Sequence, residues 1–362
     1  MFAISGPRVL HKCYKILRLC LAQFSNIPDI KNLNLVRTVE KTIDTTTSIF
    51  IDSPIHVKVQ PIDVNDLSAH NKLTMMLYSQ GKDTNDFQLK QTSKRLDLLC
   101  NKKTSPDKDD VCLIRIPYKL KLHVTTTENA SVHLAKLEAD EFIVKTQKGD
   151  VMVADMKADN LKVESESGHL ETEGRLQASL IELKTGVNGS VKCNNIMANN
   201  FTVATHGGEI SVKSCYSDQS HFTTLMGNIR LDNLHRAVKI DVIQKGNLHI
   251  TGFHGSLKAS LKSGEVFMHA SQFTDKSSIF IHEKGKVEVI IPDILKNLAA
   301  VSLMAEKINV DEKIMKLGRF MDDSHPQRFR YEKNNKNELH IVCRNGSIDL
   351  KETDLPFFIP SN

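Results

Sequence analysis

Between about Ala130 and Val289 the chain alternates apolar and polar residues in short runs, each opened by a glycine and a following polar residue. The glycines are Gly149, Gly168, Gly189, Gly208, Gly227, Gly246, Gly264 and Gly285, separated by 19, 21, 19, 19, 19, 18 and 21 residues. Counting back another 19 from Gly149 reaches Ala130, which opens a matching unit without the glycine. Two positions after each start stand Val132, Val151, Leu170, Val191, Ile210, Ile229, Leu248, Val266 and Val287. Four positions after it stand Leu134, Val153, Thr172, Cys193, Val212, Leu231, Ile250, Met268 and Val289. Polar residues lie between the two columns, and a period of two marks a half-buried strand. A second alternating pair precedes the next glycine: Phe142 and Val144, Leu161 and Val163, Ile181 and Leu183, Phe201 and Val203, Ile240 and Val242, Leu257 and Ala259, Ile279 and Ile281. Ahead of Gly227 the pair is weaker, with Phe222 apolar and Ser220 polar.

The pattern predicts two strands and two turns per unit. A unit of this length cannot bury its own apolar face. Units stacked about 4.8 Å apart place like residues above one another and close a continuous core. The predicted class is therefore all-β: a parallel β-solenoid, or β-helix, of about nine coils of about 19 residues, right-handed by the general chirality of parallel crossovers. Glycine suits the turn between coils through positive φ or through close backbone approach. The pairs Gly149-Asp150, Gly227-Asn228 and Gly264-Glu265 then punctuate turns and cradle no phosphate. Three residues after their glycines, Glu171 and Lys192 fall on adjacent coils as opposite charges.

Four segments follow: a leader over 1–28, an N-terminal β segment and cap over 45–128, the repeats over 129–291, and C-terminal strands, loop and cap over 292–362. The runs "SIFIDSPIHVKVQPID", "KLTMMLYS" and "VCLIRIPYKLKLHV" alternate as strands, separated by the polar run Lys102 to Asp110. They supply the cover that an open solenoid end needs against unpaired backbone. Past Pro292, "AAVSLMAEKINV" fits helix or strand, so 296–310 stays open between the two. Met321 to Lys336 is charged and loop-like, and "ELHIVCRNGSIDL" suggests hairpin strands closing the other end.

The units "GDVMV", "GEISV", "GNIRL", "GNLHI" and "GEVFM" resemble those of the putative-adhesin β-solenoid family, in particular its uncharacterised animal branch. The resemblance runs from about residue 50 to 350 and includes the late "GSIDL" turn. It implies the solenoid fold and brings no catalytic residues with it.

Composition narrows the function. The 362 residues are 40% hydrophobic and 6% aromatic with no Trp, which suits thin repeated β layers. The formal charge is +5, but Arg8, Lys12, Lys15 and Arg18 precede the first acidic residue, Asp29, and without them 44 basic residues face 43 acidic ones. A near-neutral body lacks the basic face that nucleic acid requires. Apolar residues interleave with the four leader charges, and Arg18 breaks the uninterrupted apolar core of about 7 to 15 residues that a secretory signal needs. The leader fits mitochondrial import, with a cytoplasmic protein as the alternative. No later stretch reaches the roughly 18 to 20 apolar residues of a membrane span. The seven cysteines, Cys13, Cys20, Cys100, Cys112, Cys193, Cys215 and Cys343, form no CxxC pair and fit a reducing compartment. Sequons at Asn129, Asn188, Asn200 and Asn345 are equally explained as turn residues.

One residue after each start the column reads Ser131, Asp150, His169, Ser190, Glu209, Asn228, Asn247, Glu265 and Lys286. Its carboxylates are three coils apart, about 14 Å, whereas paired-carboxylate hydrolysis needs about 5 to 9.5 Å. Histidines at 169, 206, 221, 235, 249, 254, 269 and 282 are read as falling at different offsets, with no HExxH or paired spacing. Cys193 and Cys215 are expected as buried small hydrophobes. The sequence predicts no enzyme, no catalytic, cofactor-binding or metal residues and no cofactor. It predicts a non-catalytic scaffold for an unknown protein partner. The alternatives are end-to-end self-assembly, and carbohydrate binding or processing by a β-helix.

Overall fold

The computed structural model describes residues 27–44, 46–62, 71–80, 86–101, 110–117, 119–293, 298, 300–321, 325–333 and 337–353. The leader, apart from its last two residues, lies outside the described residues, as do Cys13, Cys20 and the polar run 102–109. Among the described residues nearly all regular structure is strand, with a 3-10 turn at Ile30–Asn32 and a one-turn helix at Glu312–Met315.

The repeats stack as parallel coils. Strands Val151–Ser165, Leu170–Thr185, Val191–Thr205 and Ile210–Met226 pair in register, so that Val151 faces Leu170, Leu170 faces Val191, and Val191 faces Ile210. The two columns after each start and the pairs ahead of each glycine are buried in one continuous core. Ser220, the polar exception, is also buried, and its hydroxyl is held 3.2 Å from Ser217 Oγ and 3.4 Å from Cys215 Sγ.

Each coil carries more than the two strands expected. A third inward column, Leu137, Met156, Leu176, Ile196, Cys215, Leu234 and Phe253, is buried at the corner between them. Ahead of it the backbone bends with positive φ at Lys136, Asp155, Gly174, Asn233 and Gly252. One apolar residue per coil among polar neighbours makes no alternation, so the corner is invisible to a period-of-two reading. A further column just before the turn, Thr126, Thr146, Ser165, Thr185, Thr205 and Thr224, is polar yet buried. Its hydroxyls donate to the carbonyls of the turns: Thr146 to Gly149 at 2.9 Å, Thr185 to Gly168 at 2.8 Å, Thr205 to Gly208 at 3.1 Å. The buried turn carbonyls are thereby satisfied, as a solvent-free backbone requires.

At both ends the stacking order departs from chain order. Strand Leu122–Thr126 is flanked by Glu138–Thr146 on one side and by Ser48–Ser53 on the other, and Ser48–Ser53 pairs in turn with Arg95–Asn101. His56–Pro61 lies likewise between Val132–Ala135 and Val111–Ile116. The N-terminal segment therefore contributes parallel layers of the stack as well as its cover. The cover is antiparallel: Lys72–Ser79 on Val111–Ile116, Asp86–Gln91 on Arg95–Asn101, and Asn34–Thr42 outermost. At the other end Glu338–Thr353 is no hairpin. It is one parallel strand inserted between Ser277–Pro292 and Ala300–Val310. Residues 300–310 are thus strand, and Gln327–Glu332, within the stretch read as a loop, is an antiparallel cover over them.

Candidate functional site

The polar column beside the turn glycines is engaged in structure. His56 Nδ1 accepts from Ser131 N at 3.0 Å, Ser131 Oγ from Asp150 N at 3.2 Å, and Asp150 Oδ1 from His169 N at 2.8 Å. The relay resumes with Asn228 Oδ1 accepting from Asn247 N and Asn247 Oδ1 from Glu265 N, both at 3.0 Å. Each side chain satisfies the backbone of the next coil, which is why short acceptors recur there. Glu171 and Lys192 meet at 2.8 Å, as their cross-coil spacing predicts. Burial pushes the Cys193 thiol up to about 12 and the Cys215 thiol to about 11, so both stay protonated and unreactive at neutral pH.

A groove of about 780 Å³ runs across successive coils from Lys157 to Thr274. Its position follows from the corner. Ala158, Ala178 and Ala198, two residues past the third inward column, are small and leave the wall recessed. One residue earlier the outward column reads Lys157, Gln177, Met197, Tyr216, His235 and His254, and each of these pairs with the next in register. The column begins charged and becomes aromatic. Tyr216 is 53% exposed and Met197 41%, both large for unpartnered apolar surface. Tyr216 stacks on His235 with ring centroids 4.3 Å apart and planes at 17°. His235 faces His254 at 5.8 Å and 27°.

Burial, with His254 adding repulsion, holds the His235 imidazole below its ordinary 6.5 and so neutral at pH 7. Asp218 and Arg236, both in the lining, form an ion pair, so the groove carries charges of both signs. Among the described residues no three His, Cys, Asp or Glu side chains stand together as a closed metal site. A second concavity of about 800 Å³ lies over the turns, but its exposed apolar residues Val187 and Ile243 are on different coils and form no column.

The histidines correct the sequence expectation directly. Tyr216, His235 and His254 each lie eight residues after their glycines, at one shared offset. The spacing is present in the sequence. It gains meaning only when the corner fixes which positions face out on that side.

The chain matches the family described as Toastrack DUF4097 over residues 46–187 and again over 177–351. Among solved structures it is similar to a putative adhesin from Bacteroides fragilis, at 11% identity over 88% of this chain and 97% of that one, with a TM-score of 0.36. It is similar to a putative adhesin from Parabacteroides merdae at 13% identity, covering 87% and 95%, TM-score 0.34. A structure named a putative lipid binding protein from Parabacteroides distasonis also matches at 13% identity, covering 87% and 96%, TM-score 0.34.

Proposed function

This chain belongs to the Toastrack DUF4097 family, and from that premise we propose that it is a non-catalytic binding scaffold whose lengthwise groove docks a partner protein. One observation carries the reading. The outward column places the exposed Met197 and Tyr216 and the half-buried His235 and His254 in register along a groove of about 780 Å³. A stack of coils repeats one outward position at a fixed step, so a partner meets a long surface without any loop having to fold for it. The absence of chemistry in this reading is supported by the glycine-adjacent column, whose side chains hold neighbouring backbone, and by thiols kept protonated through burial. End-to-end assembly is disfavoured because both ends close in antiparallel strands. The outer strand Asn34–Thr42 carries Arg37, Glu40 and Lys41 and a bulge, and among the described residues the outermost strand at the other end is only Arg319–Phe320.

The proposal takes the mitochondrion as the working compartment, supported by the basic leader residues Arg8, Lys12, Lys15 and Arg18. No helix among the described residues is long and apolar enough to cross a membrane.

The test is site-specific photocrosslinking in cells with benzoylphenylalanine at Met197, at Tyr216, and at Arg230 on a different outward column as the control. The expected result is one shared crosslinked partner from the two groove positions, absent from the control and lost when the leader is deleted. Equal capture from all three positions, or none from the groove, would overturn the docking site. Retention of the partner without the leader would overturn the compartment alone.

A further inference from the structure

We propose that Asn188 is a site of spontaneous covalent modification, its side-chain amide converting to aspartate and isoaspartate through a cyclic imide closed by the Gly189 nitrogen. The inference does not depend on the docking reading. The chain holds two asparagines followed by glycine, Asn188 and Asn345, and each glycine is followed by serine. The local sequence therefore gives both the same opportunity, because attack by a glycine nitrogen meets no side chain on the attacking residue. The fold separates them.

From the buried hydroxyl column to the anchor glycine the chain advances three residues in four of the coils: Thr146 to Gly149, Ser165 to Gly168, Thr205 to Gly208 and Thr224 to Gly227. From Thr185 to Gly189 it advances four. The extra residue pushes this turn off the stack. Val187 is 62% exposed, and Asn188 is exposed with a φ of +66°, a region that asparagine tolerates. Pairing with the preceding coil ends at Thr185 and resumes at Val191, so no strand ladder holds Asn188. Gly189 is buried and fixed, since a Cβ there would lie 2.5 Å from the Gly168 carbonyl oxygen, and the projecting Val187 and Asn188 turn against it. Asn345 is equally exposed but lies inside strand Glu338–Thr353, where it pairs with Lys284 and Gly346 pairs with Gly285. Ring closure rotates the peptide between the two residues, and at Asn345 the strand must open before that can happen.

In the reaction the Gly189 nitrogen gives its proton to solvent and bonds to Asn188 Cγ. Nδ2 leaves with the electron pair of the broken bond, takes up a proton and departs as ammonia. Water then adds to one of the two ring carbonyls and breaks its bond to the nitrogen. Opening at one carbonyl leaves aspartate, and opening at the other leaves isoaspartate, with the backbone rerouted through the side-chain carbon. Either product places a new carboxylate beside Val187, at the lip of the concavity of about 800 Å³ over the turns.

The experiment holds the purified full chain in mildly alkaline buffer and follows both peptides by mass spectrometry, with electron-transfer fragmentation to tell isoaspartate from aspartate. Folded, the chain should convert Asn188 about tenfold or more faster than Asn345, the suppression that even a modest cost of strand opening imposes. In urea the two sites, matched in sequence, should convert at similar rates. Enzymatic methylation of isoaspartyl carboxyls with labelled S-adenosylmethionine should mark the aged folded chain, and the label should be lost in Asn188→Gln but kept in Asn345→Gln. An Asn188 amide that outlasts or merely matches that of Asn345 in the folded chain would overturn the site. A preference for Asn188 that persists unchanged in urea would overturn the part assigned to the turn. The rates on the unmutated chain stand even if a variant folds poorly.

Discussion

Gly207 and Gly208 are neighbours in one turn, yet only the second is compelled by its surroundings. A Cβ on Gly208 would lie 1.9 Å from the carbonyl oxygen of Gly189 in the preceding coil, whereas one on Gly207 meets nothing nearer than 3.8 Å. The anchor glycine is therefore required by backbone approach between coils, which no side-chain rotation relieves. Gly208→Ala is expected to lower the unfolding free energy by about 2 to 3 kcal/mol, in the range of overpacked sites, and Gly207→Ala to stay within about 0.5 kcal/mol. Urea denaturation of the two variants checks this, and equal effects would contradict it. A second residue-level consequence concerns acid. Burial, with Lys58 beside it, pushes His133 from 6.5 down to about 4. The unfolded chain then takes up a proton near pH 6.5 that the folded chain refuses until about pH 4, so stability present at pH 7 is lost as pH falls across that window. The linkage corresponds to about 3 kcal/mol, reduced to about 2 by partial solvent contact. His133→Gln should shed that part of the acid sensitivity. An imidazole proton shift for His133 titrating near its ordinary value would refute the assignment.

At the scale of the coil, the legible features were those that alternate. Val151, Leu170, Val191 and Ile210 share an offset from their glycines, and the same offset fixes the register in which they pair. The cross-coil pair of Glu171 and Lys192 followed from that register alone. Three other columns stayed hidden for separate physical reasons. Met156 and Leu176 stand alone at a corner made by positive φ, so no period marks them. Thr146 and Thr205 are polar and would be assigned to the surface, but their hydroxyls are consumed by turn carbonyls and they belong inside. The groove column depends on the first of these: Tyr216, His235 and His254 become an outward ladder only once the corner residue before them is known to point in. Sequence periodicity reports what two strands bury. It is silent about what a bend between them exposes.

For the whole molecule, the departure of stacking order from chain order yields a prediction that chain order would reverse. Strand Glu338–Thr353 is the last described segment, a place where fraying is the default. In the fold it lies between two parallel neighbours, with Ile341 pairing both Ile279 and Leu303, and Ile348 pairing both Val287 and Ile308. Its inward residues Leu339, Ile341, Ile348 and Leu350 are buried. Strand Gln327–Glu332 precedes it in the chain but lies farther out in the stack, covered among the described residues only by the two-residue strand Arg319–Phe320. Opening free energy follows burial and hydrogen-bonding on both edges, not distance from a terminus. Hydrogen exchange followed by mass spectrometry should therefore find the amides of 338–353 protected like those of the central coils, and those of 327–332 exchanging first. The other end should behave alike, with 48–53 slower than 34–42 because the former pairs on two sides. Exchange of 338–353 ahead of 327–332 would mean that the inserted strand is peripheral, and that the stack instead ends at Ser277–Pro292.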